Sequence, residues 1–260
     1  MDHIADWLAL ASALHPLLFW VLGSVLAYAL GTNVLWWQRS TSLRRSLYGR
    51  WLEQIGRFLF FLAIPYLALG GWPRRPFQGL LLMEDMGLVG LSERWPVTRW
   101  LEAVGTGVGL GLVAMLILVL AWANARRCAD GSTLRLPPRP GWALLVDVIC
   151  LEAHWAFYRG ALAVVQGDVY TGVFLGLGLV YLEWGLNPFW RQGWRLESLV
   201  AGTWLRAALA LVVALLFLFT RNLWVCLGVH WLLELAFWQL SRDRVQNTKA
   251  QAASSVSDNQ

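Results

Sequence analysis

Long apolar runs constrain this chain more than any other feature. Residues 14–37, 52–72, 101–123, 142–166, 169–190, 199–219 and 223–240 are rich in Leu, Val, Ala and Phe and carry few charges. A bilayer core asks for roughly 20 apolar residues per spanning helix. No water is available there to satisfy backbone groups, so each run is expected to be helical. The expected fold class is therefore all-α: a polytopic membrane helical bundle of about seven transmembrane helices. Composition agrees, with 58% hydrophobic and 14% charged residues and a mean hydropathy of +0.51. The second run is the weakest, because Glu53, Arg57 and Pro65 interrupt it. Residues 77–91, with Glu84 and Asp85, are too short and polar to span and read as an interfacial or re-entrant segment.

The net charge of +5 does not point to nucleic acid. Of the 21 basic residues 20 are Arg, most of them flank apolar runs, and such a distribution encodes topology. One set of connections holds Arg39, Arg44, Arg45, Arg50 and Arg57, then Arg126, Arg127, Arg135 and Arg139, then Arg191 and Arg195, then Arg242, Arg244 and Lys249. The opposite set holds Arg74, Arg75, Arg94, Arg99 and Arg221. Cytoplasmic loops are enriched in positive charge, so the N-terminus is expected outside and the C-terminus inside. The first helix is expected to be retained, since Met1–Asp6 lacks the positive n-region of a cleavable signal.

Trp36, Trp37, Trp72, Trp100, Trp122, Trp142, Trp190, Trp194 and Trp224 fall near span ends and read as an interfacial belt. Gly107 with Gly111, and Gly172 with Gly176, have the small-xxx-small spacing that lets membrane helices approach closely. Cys128, Cys150 and Cys226 are isolated and read as packing residues. Residues 1–245 are expected to form one transmembrane domain, and 246–260 a disordered polar tail.

Ionisable residues inside a bilayer cost several kcal/mol unless paired or hydrated, which makes them functional candidates. The fourth run carries Asp147, Glu152, His154 and Arg159, the fifth Glu183 and Asn187, and the seventh His230 and Glu234. Glu152 and Arg159, seven positions apart, share a helix face, while Asp147, His154 and Tyr158 form a neighbouring stripe. Glu183 with Asn187, and His230 with Glu234, are spaced i, i+4 on one side of their helices. Counting ~1.5 Å per residue from the cytoplasmic ends places Glu152 and His230 ~15 Å deep, and Glu183 and Glu234 ~10 Å deep. Glu152, Glu183, His230 and Glu234 are thus expected to form one polar site in the cytoplasmic half of the bundle, with Arg159 deeper. Structural readings stand beside the functional one: an Arg159–Glu152 tie between helices, an ion-pair role for Asp147, and a cross-helix hydrogen bond for His154. The His230 and Glu234 pair suits shared binding of a metal or a water, and haem or chlorophyll ligation by a histidine is a further alternative.

The segments Glu152-Ala-His-Trp-Ala-Phe-Tyr-Arg159-Gly160, Leu179-Val-Tyr-Leu-Glu183 and His230-Trp-Leu-Leu-Glu234 resemble, in order and approximate spacing, the motifs of the CPBP intramembrane proteases, which include the type II CAAX prenyl endopeptidases. That family carries Glu-Glu-x-x-x-Arg, Phe-x-x-x-His and His-x-x-x-Asn on successive helices, and the likeness covers about residues 140–240. Arg159 and His230 match directly. The paired glutamates fall on His154 and Trp155, the first histidine on Glu183, and the asparagine on Glu234. The resemblance implies an intramembrane endopeptidase acting on a membrane-associated peptide or protein, with Glu152, Arg159, Glu183, His230 and Glu234 as catalytic candidates. Glu152 or Glu183 would be the general base on water. His230, oriented by Glu234, would stabilise the oxyanion, or with Glu183 and Glu234 hold a divalent metal such as zinc. The implied location is a bacterial inner membrane. A non-catalytic interaction protein on the same fold and a small transporter or proton relay are the competing classes.

Overall fold

The computed structural model describes residues 16–38, 47–69, 86–88, 95–128 and 140–257, and every regular element among them is helical. Helix α1 spans Pro16–Trp37. Helix α2 (Leu47–Phe58) runs through a π-helical turn, Leu59–Ala63, into α3 (Ile64–Leu69). There follow α4 (Val97–Cys128), α5 (Gly141–Gln166), α6 (Val169–Leu186), the short α7 (Pro188–Arg195), α8 (Glu197–Thr220) and α9 (Leu223–Ser257).

Six helices among the described residues are long and apolar enough to cross a membrane: Leu17–Trp37, Val97–Ala125, Gly141–Gln166, Val169–Leu186, Leu199–Thr220 and Leu223–Ser241. The chain is accordingly an all-helical membrane protein. The second expected run is represented by a shorter apolar helix, Gln54–Ala68. Its ~22 Å length falls below the ~30 Å of a bilayer core. Pro65 lacks the N–H that would bond back one turn, and the π turn sits in that weakened stretch. Of residues 77–91 only 86–88 are described; there Gly87, at φ 74°, accepts a backbone hydrogen bond from Leu223 at 2.9 Å. Residues 246–257, expected to be disordered, continue α9 as helix, while 258–260 lie outside the described residues. No Gly or Pro follows Gly228, so nothing in the local sequence stops the helix once α9 is nucleated.

Helix α5 is the centre of the bundle. Within its most apolar 18-residue window 72% is buried, against 22% in α1 and α4, whose Leu26, Leu30, Leu112 and Leu116 face outward. It packs most extensively on α6, and also on α9, α1 and the π turn. The α5–α6 approach depends on glycine. A Cβ on Gly172 would lie 2.5 Å from the Ala163 backbone nitrogen, and one on Gly176 would lie 2.8 Å from that of Arg159. Both glycine pairs expected to be packing stripes are such stripes: Gly172 and Gly176 admit the α5 backbone, while Gly107 and Gly111 of α4 admit the Val225 and Val229 side chains of α9. The α5–α6 turn is closed by Gly167 at φ 68° and by Asp168, whose carboxylate accepts from the Thr171 and Tyr170 amides at 2.7 and 3.3 Å.

The interfacial belt holds only in part. Trp37, Trp142, Trp194 and Trp224 are exposed, but Trp122 is buried edge-on against Phe237, and Trp190 stacks on Trp184. Trp72 lies outside the described residues. Proximity to a span end does not decide which way an indole points; the neighbouring helix does.

Substituting Gly176 with Ala is expected to lower stability by about 1–3 kcal/mol, because backbone must move to admit a methyl. Gly178→Ala, where nothing lies within 4 Å, should be neutral or stabilising. Thermal unfolding of the two variants in detergent makes the comparison. Hydrogen bonds from Thr171 hold the Asp168 carboxyl below its ordinary range. A depressed folded-state pKa adds stability above the unfolded value, and that stability is lost as pH falls through the folded value. The gap in melting temperature between wild type and Asp168→Ala should therefore be present at neutral pH and close in acid.

Candidate functional site

The polar side chains of α5 are drawn to two different neighbours. On one side Glu152 faces α9, with Arg159 beside it. His230 Nδ1 donates to Glu152 Oε1 at 2.7 Å, and Arg159 Nη2 stands 3.6 Å from Glu152 Oε2. All three residues are at most 4% exposed. The Arg159 guanidinium also lies over the Phe217 ring, 4.1 Å from its centroid, where a cation is favoured. On the other side His154 and Tyr158, one turn apart, face α6. His154 Nε2 donates to Glu183 Oε2 at 3.1 Å, and the Tyr158 hydroxyl donates to Glu183 Oε1. Phe60 and Phe61 of the π turn pack on the His154 ring, with centroids 4.5 and 5.4 Å away.

Trp155 divides the two groups. Its ring stacks on His230, centroids 5.3 Å apart and 10° from parallel, while its other contacts line a cavity of about 580 Å³. That cavity is bounded by His154, Glu183, Glu234, Arg206, Arg57 and Asp147 among polar residues, and by Phe61, Trp155, Trp184, Phe189, Trp190 and Trp238 among aromatic ones. Glu152, Arg159 and His230 are not among its walls. Arg159 instead borders a separate cavity of about 20 Å³ with Trp155 and Gly176.

The expected single site is therefore two. Glu183 and Glu234 share the open cavity, whereas Glu152 and His230 form a pair sealed behind Trp155 with Arg159. The expected orientation of His230 by Glu234 is replaced by Glu152, which meets the imidazole from the adjacent helix. Neighbouring positions on one helix give parallel side chains, but a head-on partner comes from across the interface. Nor are Glu183, His230 and Glu234 gathered as one metal-ligand set: Glu183 is turned to His154 and Tyr158, and His230 to Glu152. Among the described residues no group of three or more His, Cys, Asp or Glu side chains is placed to hold a metal ion.

Asp147 has the structural role expected of it, pairing with Arg57 of α2 at 2.5 Å, and His154 makes its expected cross-helix bond. Asn187 ends α6 and starts α7. Its Oδ1 accepts from the Phe189 amide at 2.9 Å while its Nδ2 donates to the Tyr28 hydroxyl at 2.7 Å. Tyr28, a cavity residue on α1, escapes a reading of the sequence, whereas Arg206 on α8 carries the signal of a charge inside an apolar run, and the structure adds it to the cavity wall. Cys150 and Cys226 are free and buried, and Cys150 also borders the cavity.

No family model, curated protein or solved structure matches this chain.

Removing one partner of a buried charge pair strands the other. Glu152→Ala is expected to cost about 3–5 kcal/mol. In a double-mutant cycle, His230→Ala should then cost much less in the Glu152→Ala background than alone. Unfolding in detergent measures all four corners of that cycle.

Proposed function

We propose that this chain is an intramembrane hydrolase that cleaves a membrane-associated peptide or protein, divergent from the CPBP endopeptidases, with Glu183, His154 and Tyr158 as its reacting group. One observation carries the reading. The positions where the resemblance puts the family's first glutamate and first histidine, 154 and 183, face one another at 3.1 Å with the two residue types exchanged. They border a cavity of about 580 Å³ that also contains Glu234, from the third motif. A carboxylate and an imidazole in contact beside a cavity with room for water and a peptide suit general-base attack of water on a carbonyl.

In this scheme Glu183, held by His154 and Tyr158, takes a proton from water as the water oxygen attacks the peptide carbonyl carbon. The proton passes to the departing amine as the C–N bond breaks, leaving a carboxylate and an amine. Tyr158, whose hydroxyl donates to Glu183 from behind the cavity wall, holds the carboxylate in place. Glu152, Arg159 and His230 act as positioning residues: from behind Trp155 they hold α5 against α9 and set the cavity wall.

The same reading puts the chain in a bacterial inner membrane, with Gln54–Ala68 as a short seventh crossing, the N-terminus outside and the C-terminus in the cytoplasm. The Arg distribution supports it, as does the Arg57–Asp147 ion pair, which joins α2 to the end of α5 assigned to the cytoplasm. A second reading, a membrane protein that binds a partner without catalysis, is favoured by Trp155 at the family's second glutamate, since an indole ring exchanges no proton at neutral pH.

Purified full-length protein incubated with membrane peptides should cleave, and Glu183→Gln or His154→Ala should lower kcat about 100-fold or more with the fold retained. Exchanging both residues, His154→Glu with Glu183→His, should recover activity that each single exchange abolishes. Cleavage that persists in Glu183→Gln and His154→Ala sinks the hydrolase assignment to this group, and a partner bound equally by all of these non-cleaving variants selects the second reading. A C-terminal reporter active only outside the cytoplasm would overturn the topology.

A further inference from the structure

Among the carboxylates around the cavity, Glu234 is the one that neither the reaction scheme nor an ion pair among the described residues engages. It projects from α9 one turn after His230, is only 7% exposed, and lines the cavity. No ion pair or hydrogen bond engages its carboxylate among the described residues. The other two carboxylates on the cavity wall are taken: Glu183 by His154 and Tyr158, Asp147 by Arg57. Arg206 borders the same cavity without standing within 4 Å of Glu234, and Arg57 is committed to Asp147. A mostly buried carboxylate with no ion partner within 4 Å among the described residues is costly to keep charged, and a cation entering the cavity offsets that cost.

The walls suit such a guest. Trp155, Trp184, Trp190 and Trp238 line the cavity, and Trp184 stacks on Trp190 with centroids 4.1 Å apart. Indole faces attract ammonium and guanidinium groups, and more strongly where water is scarce. Aliphatic stems of Lys and Arg also pack well on apolar walls while their heads reach a charge.

Resting on the peptidase reading, we propose that Glu234 is the carboxylate of a substrate subsite that selects a basic side chain, Lys or Arg, close to the scissile bond. The aromatic wall receives the stem and Glu234 receives the charged head, so the residue that replaces an amide in the third motif sets specificity and leaves the chemistry to Glu183 and His154.

The test uses the full-length protein in detergent and a series of fluorescent membrane peptides carrying Lys, norleucine or Glu at successive positions. Both equilibrium binding and cleavage are read, the binding on the His154→Ala variant so that no peptide is consumed. The Lys peptide should bind about 10-fold more tightly than the norleucine peptide, a difference of about 1.4 kcal/mol. Glu234→Gln should erase that preference, and Glu234→Lys should turn it toward the Glu peptide. Equal binding of all peptides, binding of none, or a Lys preference that survives Glu234→Gln overturns the proposal. If either Glu234 variant fails to fold, the peptide series on the His154→Ala protein decides alone: a Lys preference upholds the proposal and its absence ends it. Cleavage without charge preference removes the subsite and leaves the peptidase; charge-selective binding without cleavage does the reverse.

Discussion

A charged side chain inside an apolar bundle has to be met by another helix, and in this protein the meeting of Glu152 with His230 and Arg159 organises the rest. The pair joins α5 to α9 at 2.7 Å while Arg159 closes the far side of the same carboxylate. Because these groups are almost fully buried, their geometry tolerates little displacement, and α5 is fixed in both depth and rotation. The rotation is what matters next. With Glu152 turned toward α9, His154 and Tyr158 are turned toward α6, where Glu183 waits.

From this follows a division of labour between a sealed layer and an open one. Trp155 lies flat on His230 and presents its remaining surface to the cavity, so it both protects the buried pair and shapes the space in front of Glu183 and Glu234. Close glycine contacts at Gly172 and Gly176 bring α6 near enough for the Glu183 carboxylate to reach across to α5. The π turn ahead of Pro65 supplies Phe60 and Phe61 as a cover for the His154 ring. Packing and chemistry are therefore not separable on α5: the stripe that holds the bundle and the stripe that faces the cavity are adjacent rows of one helix.

Some of this was legible in the residues and some was not, for identifiable reasons. The glycine spacing announced a close helix approach, since only a side chain of zero volume permits backbone contact. The role of Asp147 followed from its place near a span end, where an arginine outside the apolar core, Arg57 of α2, is within reach. The partner of His230 did not follow. Spacing on α9 favoured Glu234, but side chains on one helix run side by side, and the better donor–acceptor line came from Glu152 on α5. Trp122 and Trp190 lie where interfacial tryptophans lie, yet helix packing turned them inward. The extension of α9 through residues read as a tail shows that polar composition alone does not end a helix free of Gly and Pro.

The sequence by itself determined that this chain is an all-helical membrane protein with ionisable groups on several of its apolar helices, because burial in lipid leaves a backbone no alternative and makes each such group conspicuous. Only the tertiary structure decided which acid meets which histidine, that the polar groups divide into a sealed cluster and a cavity wall, and that the second apolar run is a short, π-interrupted helix. Those outcomes depend on the relative rotation and depth of whole helices, which are set by packing across interfaces and not by the spacing of residues along any one of them.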